Sequence, residues 1–314
     1  MKSILLGVDV GGTTTQVVAC TQDLVVIDRE SVRTPARTGG SAMMDAITDL
    51  IALLLNRNRA TASAIGVGAA GVVDQRTGAV LVASDSFVDW AGTQVATELS
   101  VRFDAGTVLE NDVNAFVAGE VAVGAARGCG QVFGMTLGTG VGGSLMVDGM
   151  LWQGAHGAAG EIGHTPGFGD LPCTCGGKGH LETIASGRSI ARRYERLTAR
   201  AEGVSAAEVA ALARTGDGVA GEIFADAGAA VGRGVLMVAG LLDVDTVVVG
   251  GGVSQAWDLL EPTLSRELRE EPPVSGAKIR VLRGELGTDA VALGAASLAA
   301  SKFLATSEGR ASSR

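Results

Sequence analysis

The sequence predicts an α/β protein built from two halves that each begin with β-strands. Three observations carry that reading. Apolar, strand-like runs alternate with helical stretches through most of the chain. Two turns rich in glycine and threonine, Gly11-Gly12-Thr13-Thr14 and Gly138-Thr139-Gly140, each join two such runs. The strand–turn–strand opening then recurs near the middle and is again followed by helices, which suggests a duplication of fold without a repeat of sequence beyond the turns.

The first half reads as three strands, ILLGVDV, TTTQVVAC and LVVIDRESV, separated by a glycine turn and a short turn. SAMMDAITDLIALLLNR has apolar residues at helical spacing, with Ser41 placed as its N-cap. AIGVGAAG is a short buried strand ending at Gly71. GTQVATELSVRF predicts a helix, TVLEN a strand, and DVNAFVAGEVAVGAA a helix with Asp112 in the N-cap position. The second half opens with QVFGMTLGTGVGGSLMVDGMLWQG as three strands and two turns. Helices are expected from about 187 to 241, then strand TVVVGGG, helix AWDLLEPTLSRELRE, strand KIRVLR and a last helix, DAVALGAASLAASKFLA. Residues 1–114 are thus expected to form a small α/β domain and 115–288 a large one, with the helix at about 289–304 packing back on the small domain. A cleft is expected where the halves meet, and the tail 305–314 has the composition of a disordered end.

A chain of 314 residues is long enough for two domains. Apolar residues make up 46% and aromatics 4%, so the core must be built from aliphatic side chains packed around the 47 glycines. No apolar run is read as approaching the roughly 20 residues of a membrane span, and the N-terminus lacks a signal-peptide pattern. The expectation is a cytoplasmic protein without a membrane partner. The net charge of −9 argues against a nucleic-acid partner. The one basic cluster, RSIARRYERLTAR, is spaced as the solvated face of a helix. Four cysteines in a reducing compartment leave metal binding or burial; Cys20 and Cys129 read as inert.

The glycine turns carry the first chemistry. Glycine lets the backbone approach a ligand, so that successive N–H groups in Gly11-Gly12-Thr13 can face an anion, with Asp9 placed to hold a hydrated Mg²⁺. Thr139 and Gly140 repeat that chemistry in the second half. Gly251 and Gly252 follow a buried strand and precede a helix, which suits a planar base or a phosphate. None of the turns matches the Walker pattern, and the opening turn leads into a strand, unlike a dinucleotide fold. Asp112, at the end of strand TVLEN, is either a helix cap or a carboxylate that accepts a proton from an attacking hydroxyl.

DVGGT, LGTGVGG and VVGGG, in that order around END, resemble the sugar kinase, actin and heat-shock chaperone superfamily. GAHGAAGEIGH followed by CTCGGKGHLE is similar to the ROK family of sugar kinases and sugar-responsive repressors. The resemblance runs from Gly7 to about Leu304. It implies a two-domain ribonuclease-H-like (actin-like ATPase) fold closing over ATP and a hexose, and a homodimer. By position it implies Asp112 as the base for the sugar 6-hydroxyl. Asn111, Glu161, His164, Glu182, Gly71 and Ser86 fall at the sugar, and Gly11, Gly12, Thr13, Thr139 and Gly140 at the phosphates. Gly251 and Gly252 fall near the adenosine. His164, Cys173, Cys175 and His180 suit a tetrahedral, structural Zn²⁺ that would pin the loop carrying Glu161 and Glu182.

Three departures from the family pattern stand out. His180 replaces the usual cysteine, Thr14 stands where lysine is common, and Ser86 and Asp89 replace asparagine and glycine in a pattern like N-L-x-G-W. The expected activity is an ATP- and Mg²⁺-dependent kinase for the 6-hydroxyl of a hexose or N-acetylhexosamine, glucose or N-acetylmannosamine first. The alternatives are a sugar-sensing regulator, for which no helix-turn-helix segment precedes the first strand, and a sugar-binding protein without kinase activity.

Overall fold

The computed structural model describes residues 2–84, 86–199 and 203–304, and the chain divides into two units. The first holds the chain up to Gly128, the segment Gln153–Ala158 and everything from Glu285 onward. The second holds Cys129–Trp152 and Ala159–Gly284. The expected tail lies outside the described residues.

In the first unit β1 (Lys2–Val10), β2 (Thr14–Cys20) and β3 (Val26–Arg33) form an antiparallel meander. Helix α1 (Gly40–Asn58) then crosses to β4 (Ala60–Ala69), which pairs parallel with β1. Its Met43, Ile47, Leu50, Ile51 and Leu54 repeat at helical spacing and are all buried. Ser41 does not cap it: the N-cap is Gly39, with no side-chain bond. A hairpin of β5 (Val72–Asp74) and β6 (Ala79–Val82), not foreseen from the sequence, precedes α2 (Val95–Phe103). β7 (Gly106–Asn111) adds a parallel strand beside β4 and leads directly into α3 (Asp112–Val123). The sheet order is β3-β2-β1-β4-β7. β1 is buried from Ile4 to Val8, as befits a strand covered on both faces.

The second unit repeats the plan. β8 (Gln131–Leu137), β9 (Val141–Val147) and the short β10 (Met150–Leu151) are antiparallel. Helices α4 (Glu182–Ala185), α5 (Gly187–Thr198), α6 (Ala206–Arg214) and α7 (Gly218–Leu242) follow. Then β11 (Thr246–Gly250) pairs parallel with β8, and α8 (Trp257–Glu270) leads to β12 (Arg280–Arg283). The order β10-β9-β8-β11-β12 has the pairing senses of the first sheet, strand for strand. One reading fails here. α7 is long and apolar enough to cross a membrane by length and composition, whereas no such stretch was expected. Its Ile223, Phe224, Ala227, Val231, Val235 and Val238 are buried in this unit's core.

The last helix, α9 (Ala290–Phe303), belongs to the first unit. α1 and α2 pack with Val8, Val10, Val17 and Ile65, while α9 packs with Leu5, Val18, Cys20 and Ala64. The alternation of strand side chains sends those two sets to opposite faces. Several glycines let α9 come close. A Cβ on Gly7 would stand 1.9 Å from the Ala292 carbonyl oxygen, one on Gly119 2.3 Å from that of Ala290, and one on Gly294 1.7 Å from that of Ala115. The expected boundary at residue 115 therefore falls inside α3, which packs against α9 within one unit; the chain changes unit at Gly128/Cys129.

Candidate active site

The parallel strands align one end of the first unit. Val10 pairs with Ala69 and Ala69 with Asn111, so the Gly11–Thr13 turn, the 69–71 segment and the Asn111-Asp112 junction leave neighbouring strands together. Carboxyl ends of parallel strands are where open α/β sheets bind ligands. Gly11 N–H donates to the Thr14 carbonyl at 3.1 Å, and the Thr34 hydroxyl donates to the Gly11 carbonyl at 2.7 Å. Gly11 is thereby used in closing the turn, while Gly12 and Thr13 remain exposed.

Asn111, not Asp112, caps α3. Its Oδ1 accepts from the N–H groups of Val113 at 2.9 Å and Asn114 at 3.2 Å. Its Nδ2 donates to the Gly71 carbonyl at 3.0 Å, which brings two of the expected sugar residues together. Asp112 takes the first helical position, beside the α3 N-terminus, where a negative charge is favoured. Its carboxylate and that of Asp9 interact: burial first, and the Asp112 charge second, push Asp9 up to about 7. A buried acid with a second acid beside it is a fitting place for a cation, which would lower that value. Ser86 shares a hydrogen bond of 2.5 Å with Ser84 on an exposed segment.

In the second unit Gly140 allows a close approach: a Cβ there would lie 2.4 Å from Glu182 Oε2. That oxygen accepts from the Val141 N–H at 3.1 Å, and Oε1 accepts from the Thr174 hydroxyl at 2.9 Å. Glu182 thus ties the glycine turn to the cysteine loop. Glu161 is exposed at the start of the short helical turn Ile162–His164.

The cysteine loop is a small hairpin, closed by Phe168 N–H to the Gly179 carbonyl and Cys173 N–H to the Gly177 carbonyl, both 2.8 Å. It gathers His164, Cys173, Cys175 and His180, whose donor atoms all lie within 4.8 Å of one another. Cys173 Sγ is 3.6 Å from His164 Nδ1, and Cys175 Sγ is 3.3 Å from His180 Nδ1. Tetrahedral bonds of about 2.0–2.3 Å to nitrogen and sulfur need such spacing, so the donor set fits one Zn²⁺.

A cavity of about 850 Å³ lies wholly within this unit. Gly138 and Thr139 line it from the glycine turn, and Gly252, Val253 and Gln255 from the end of β11. Gly140 and Gly251 are not on its wall, in contrast to Thr139 and Gly252. Arg188, Arg192 and Glu195 reach it from one face of α5, so the basic segment is not merely a solvated face. Their spacing of four and three residues was the available signal. Arg214, also on the wall, is held by Asp258 at 2.6 Å.

The ROK family model matches residues 5–302. A glucokinase of Halalkalibacterium halodurans is 32% identical over 309 residues, 92% of each chain. An N-acetyl-D-glucosamine kinase of Haemophilus influenzae is 30% identical over 299 residues, covering 87% of this chain and 93% of that one. The crystal structure of a ROK family glucokinase from Streptomyces griseus in complex with glucose and AMPPNP is similar at a TM-score of 0.82 and 30% identity, over 95% of this chain and 99% of that one. The paired five-stranded sheets are the ribonuclease-H-like plan of actin-like ATPases. With a family match that spans both units, this chain belongs to the ROK family.

Proposed function

We propose that the protein is an ATP-dependent sugar kinase that phosphorylates the 6-hydroxyl of a hexose or N-acetylhexosamine, with glucose and N-acetylmannosamine the leading substrates. The observation that carries this is Asp112 at the carboxyl end of β7, near enough for its charge to help raise the Asp9 carboxyl, with the glycine turn leaving β1 at the same end of the sheet. The relatives named as kinases of glucose and of N-acetyl-D-glucosamine support the class and leave the sugar open.

Asp112 accepts the proton of the sugar hydroxyl as its oxygen attacks the γ-phosphorus, and ADP leaves. Asn111, Gly71 and Ser86 are assigned to sugar hydroxyls, as are Glu161, His164 and Glu182. Asn111 offers only an amide hydrogen, because its carbonyl caps α3. Gly12 and Thr13 are assigned to phosphate, as is Thr139, and the 850 Å³ cavity is of a size for the nucleoside, with Gly252 on its wall. Asp9 would hold Mg²⁺, which supplies charge neutralisation at the phosphates. Zn²⁺ would be held by Cys173, Cys175, His180 and His164. A His164 ring ligated through Nδ1 carries its proton on Nε2 and can donate it to a hydroxyl.

The test is ADP release with ATP and Mg²⁺ against glucose, N-acetylmannosamine, N-acetylglucosamine, mannose, allose and fructose. One sugar should turn over far faster than the rest, and Asp112→Asn should lower kcat at least about 10²-fold while sugar still binds. A panel with no turnover, in which one sugar still raises the melting temperature, would replace the kinase with a sugar sensor.

A further inference from the structure

We infer that Glu110 is a positioning residue for this reaction, its carboxylate fixing the Asn111-Asp112 junction. The inference rests on the reading of Asp112 as the base. Glu110 is the last residue but one of β7 and is 5% exposed, an unusual place for a carboxylate. Its Oε1 accepts from the Asn111 N–H at 2.8 Å and from Asn114 Nδ2 at 2.8 Å. Its Oε2 accepts from Gln75 Nε2, and the Gln153 side chain is a further donor. No arginine or lysine is among these partners; all are neutral amides.

Those donors come from four separate pieces of the first unit. Asn111 is the residue between Glu110 and Asp112, and Asn114 lies in the first turn of α3. Gln75 belongs to the β5–β6 turn, and Gln153 begins the segment that returns from the second unit's sequence. A group that only filled space here would be apolar, since burying a carboxylate is costly and burial raises this one above its ordinary range. What the carboxylate adds is acceptor capacity without a donor, so four N–H groups can converge on it. An amide in its place must turn an NH₂ towards groups that are all donors. The junction carrying Asp112 would then lose its brace from the strand side, while the cap from Asn111 Oδ1 persists.

The test compares Glu110→Gln, Gln75→Leu and Asp112→Asn with the parent enzyme. Gln75 is exposed, so its variant tests the brace without threatening the fold. Glu110→Gln should lower kcat about 10- to 100-fold, as a small misplacement of a catalytic group does, with a rise of less than about 5-fold in KM for the sugar. Gln75→Leu should lower kcat by roughly 3-fold with an unchanged melting temperature. Hydrogen exchange over residues 106–116 is the readout that needs no sugar: protection at the Asn111 N–H, which donates to Glu110, should fall in Glu110→Gln. An unchanged kcat in both variants while folded, or unchanged exchange over that peptide, overturns the inference. Asp112→Asn with most activity intact overturns the base instead, and the exchange result still decides for Glu110.

Discussion

Asp9 shows how far one position can bend ordinary chemistry. Its carboxyl titrates near 7 in the folded chain against 3.8 when unperturbed, because ionisation there means a charge taken from water and set beside Asp112. Below pH 3.8 both folded and unfolded chains are protonated at this site; between 3.8 and about 7 only the unfolded chain ionises, so stability falls as pH rises through that window. Wild type should lose about 2–3 kcal/mol between pH 5 and 8 from this group, and Asp9→Asn should not. Urea denaturation at the two pH values measures it, and equal losses in both proteins would refute it. Asp89 is a departure that the backbone explains. It stands where the family pattern has glycine and keeps the left-handed conformation, φ +49°, which aspartate tolerates better than most residues. Nothing in the structure explains the change at Ser86. Asp112 itself was legible as a strand-end carboxylate, but its rank in the helix was not: Asn and Asp cap equally well, and only the Gly71 and Asn114 bonds decide between neighbours.

Among elements, the cysteine loop was readable because its donors lie close in sequence, so spacing alone restricts their geometry. Its own apolar content is small: Phe168, Cys173 and Leu181 are its buried apolar side chains. Metal-binding energy in such a loop is folding energy. Cys175→Ser should therefore lose zinc by elemental analysis and lose more than about 2 kcal/mol of stability. Unchanged metal content would remove the site. The wall of the nucleotide-sized cavity was far less legible. Gly138, Arg188, Ala207 and Gln255 meet there from four places in the chain. A basic amphipathic helix looks the same in sequence whether its charged face meets solvent or a cavity. β5 and β6 were missed for another reason: strands of three and four residues carry too few alternations to register.

At the scale of the molecule, the two sheets repeat each other strand for strand, and the sequence showed that only through its glycine turns. Packing asks a β-first half for apolar strands and tight turns, and many sequences meet that demand, so the duplication survives in topology alone. The domain boundary was misplaced because α3 looks like the start of the second half; the pairing of α3 with α9 is a contact between distant parts of the chain. That pairing is testable at Gly294. An added methyl would meet the Ala115 carbonyl at 1.7 Å, so Gly294→Ala should cost about 3 kcal/mol or more and lower the melting temperature by at least about 6 °C. A shift of under a degree would mean the helix simply moves aside. The same helix sets an order for synthesis. Every residue of the second unit precedes Glu285, whereas the first unit lacks α9 until residues 290–303 have left the ribosome. The unit that is made first is finished last, against the usual N-to-C order of domain folding. A premature stop after Gly284 would spare every residue assigned to ATP, sugar and zinc, yet leave Leu5, Val18, Cys20 and Ala64 as an uncovered apolar face that invites aggregation.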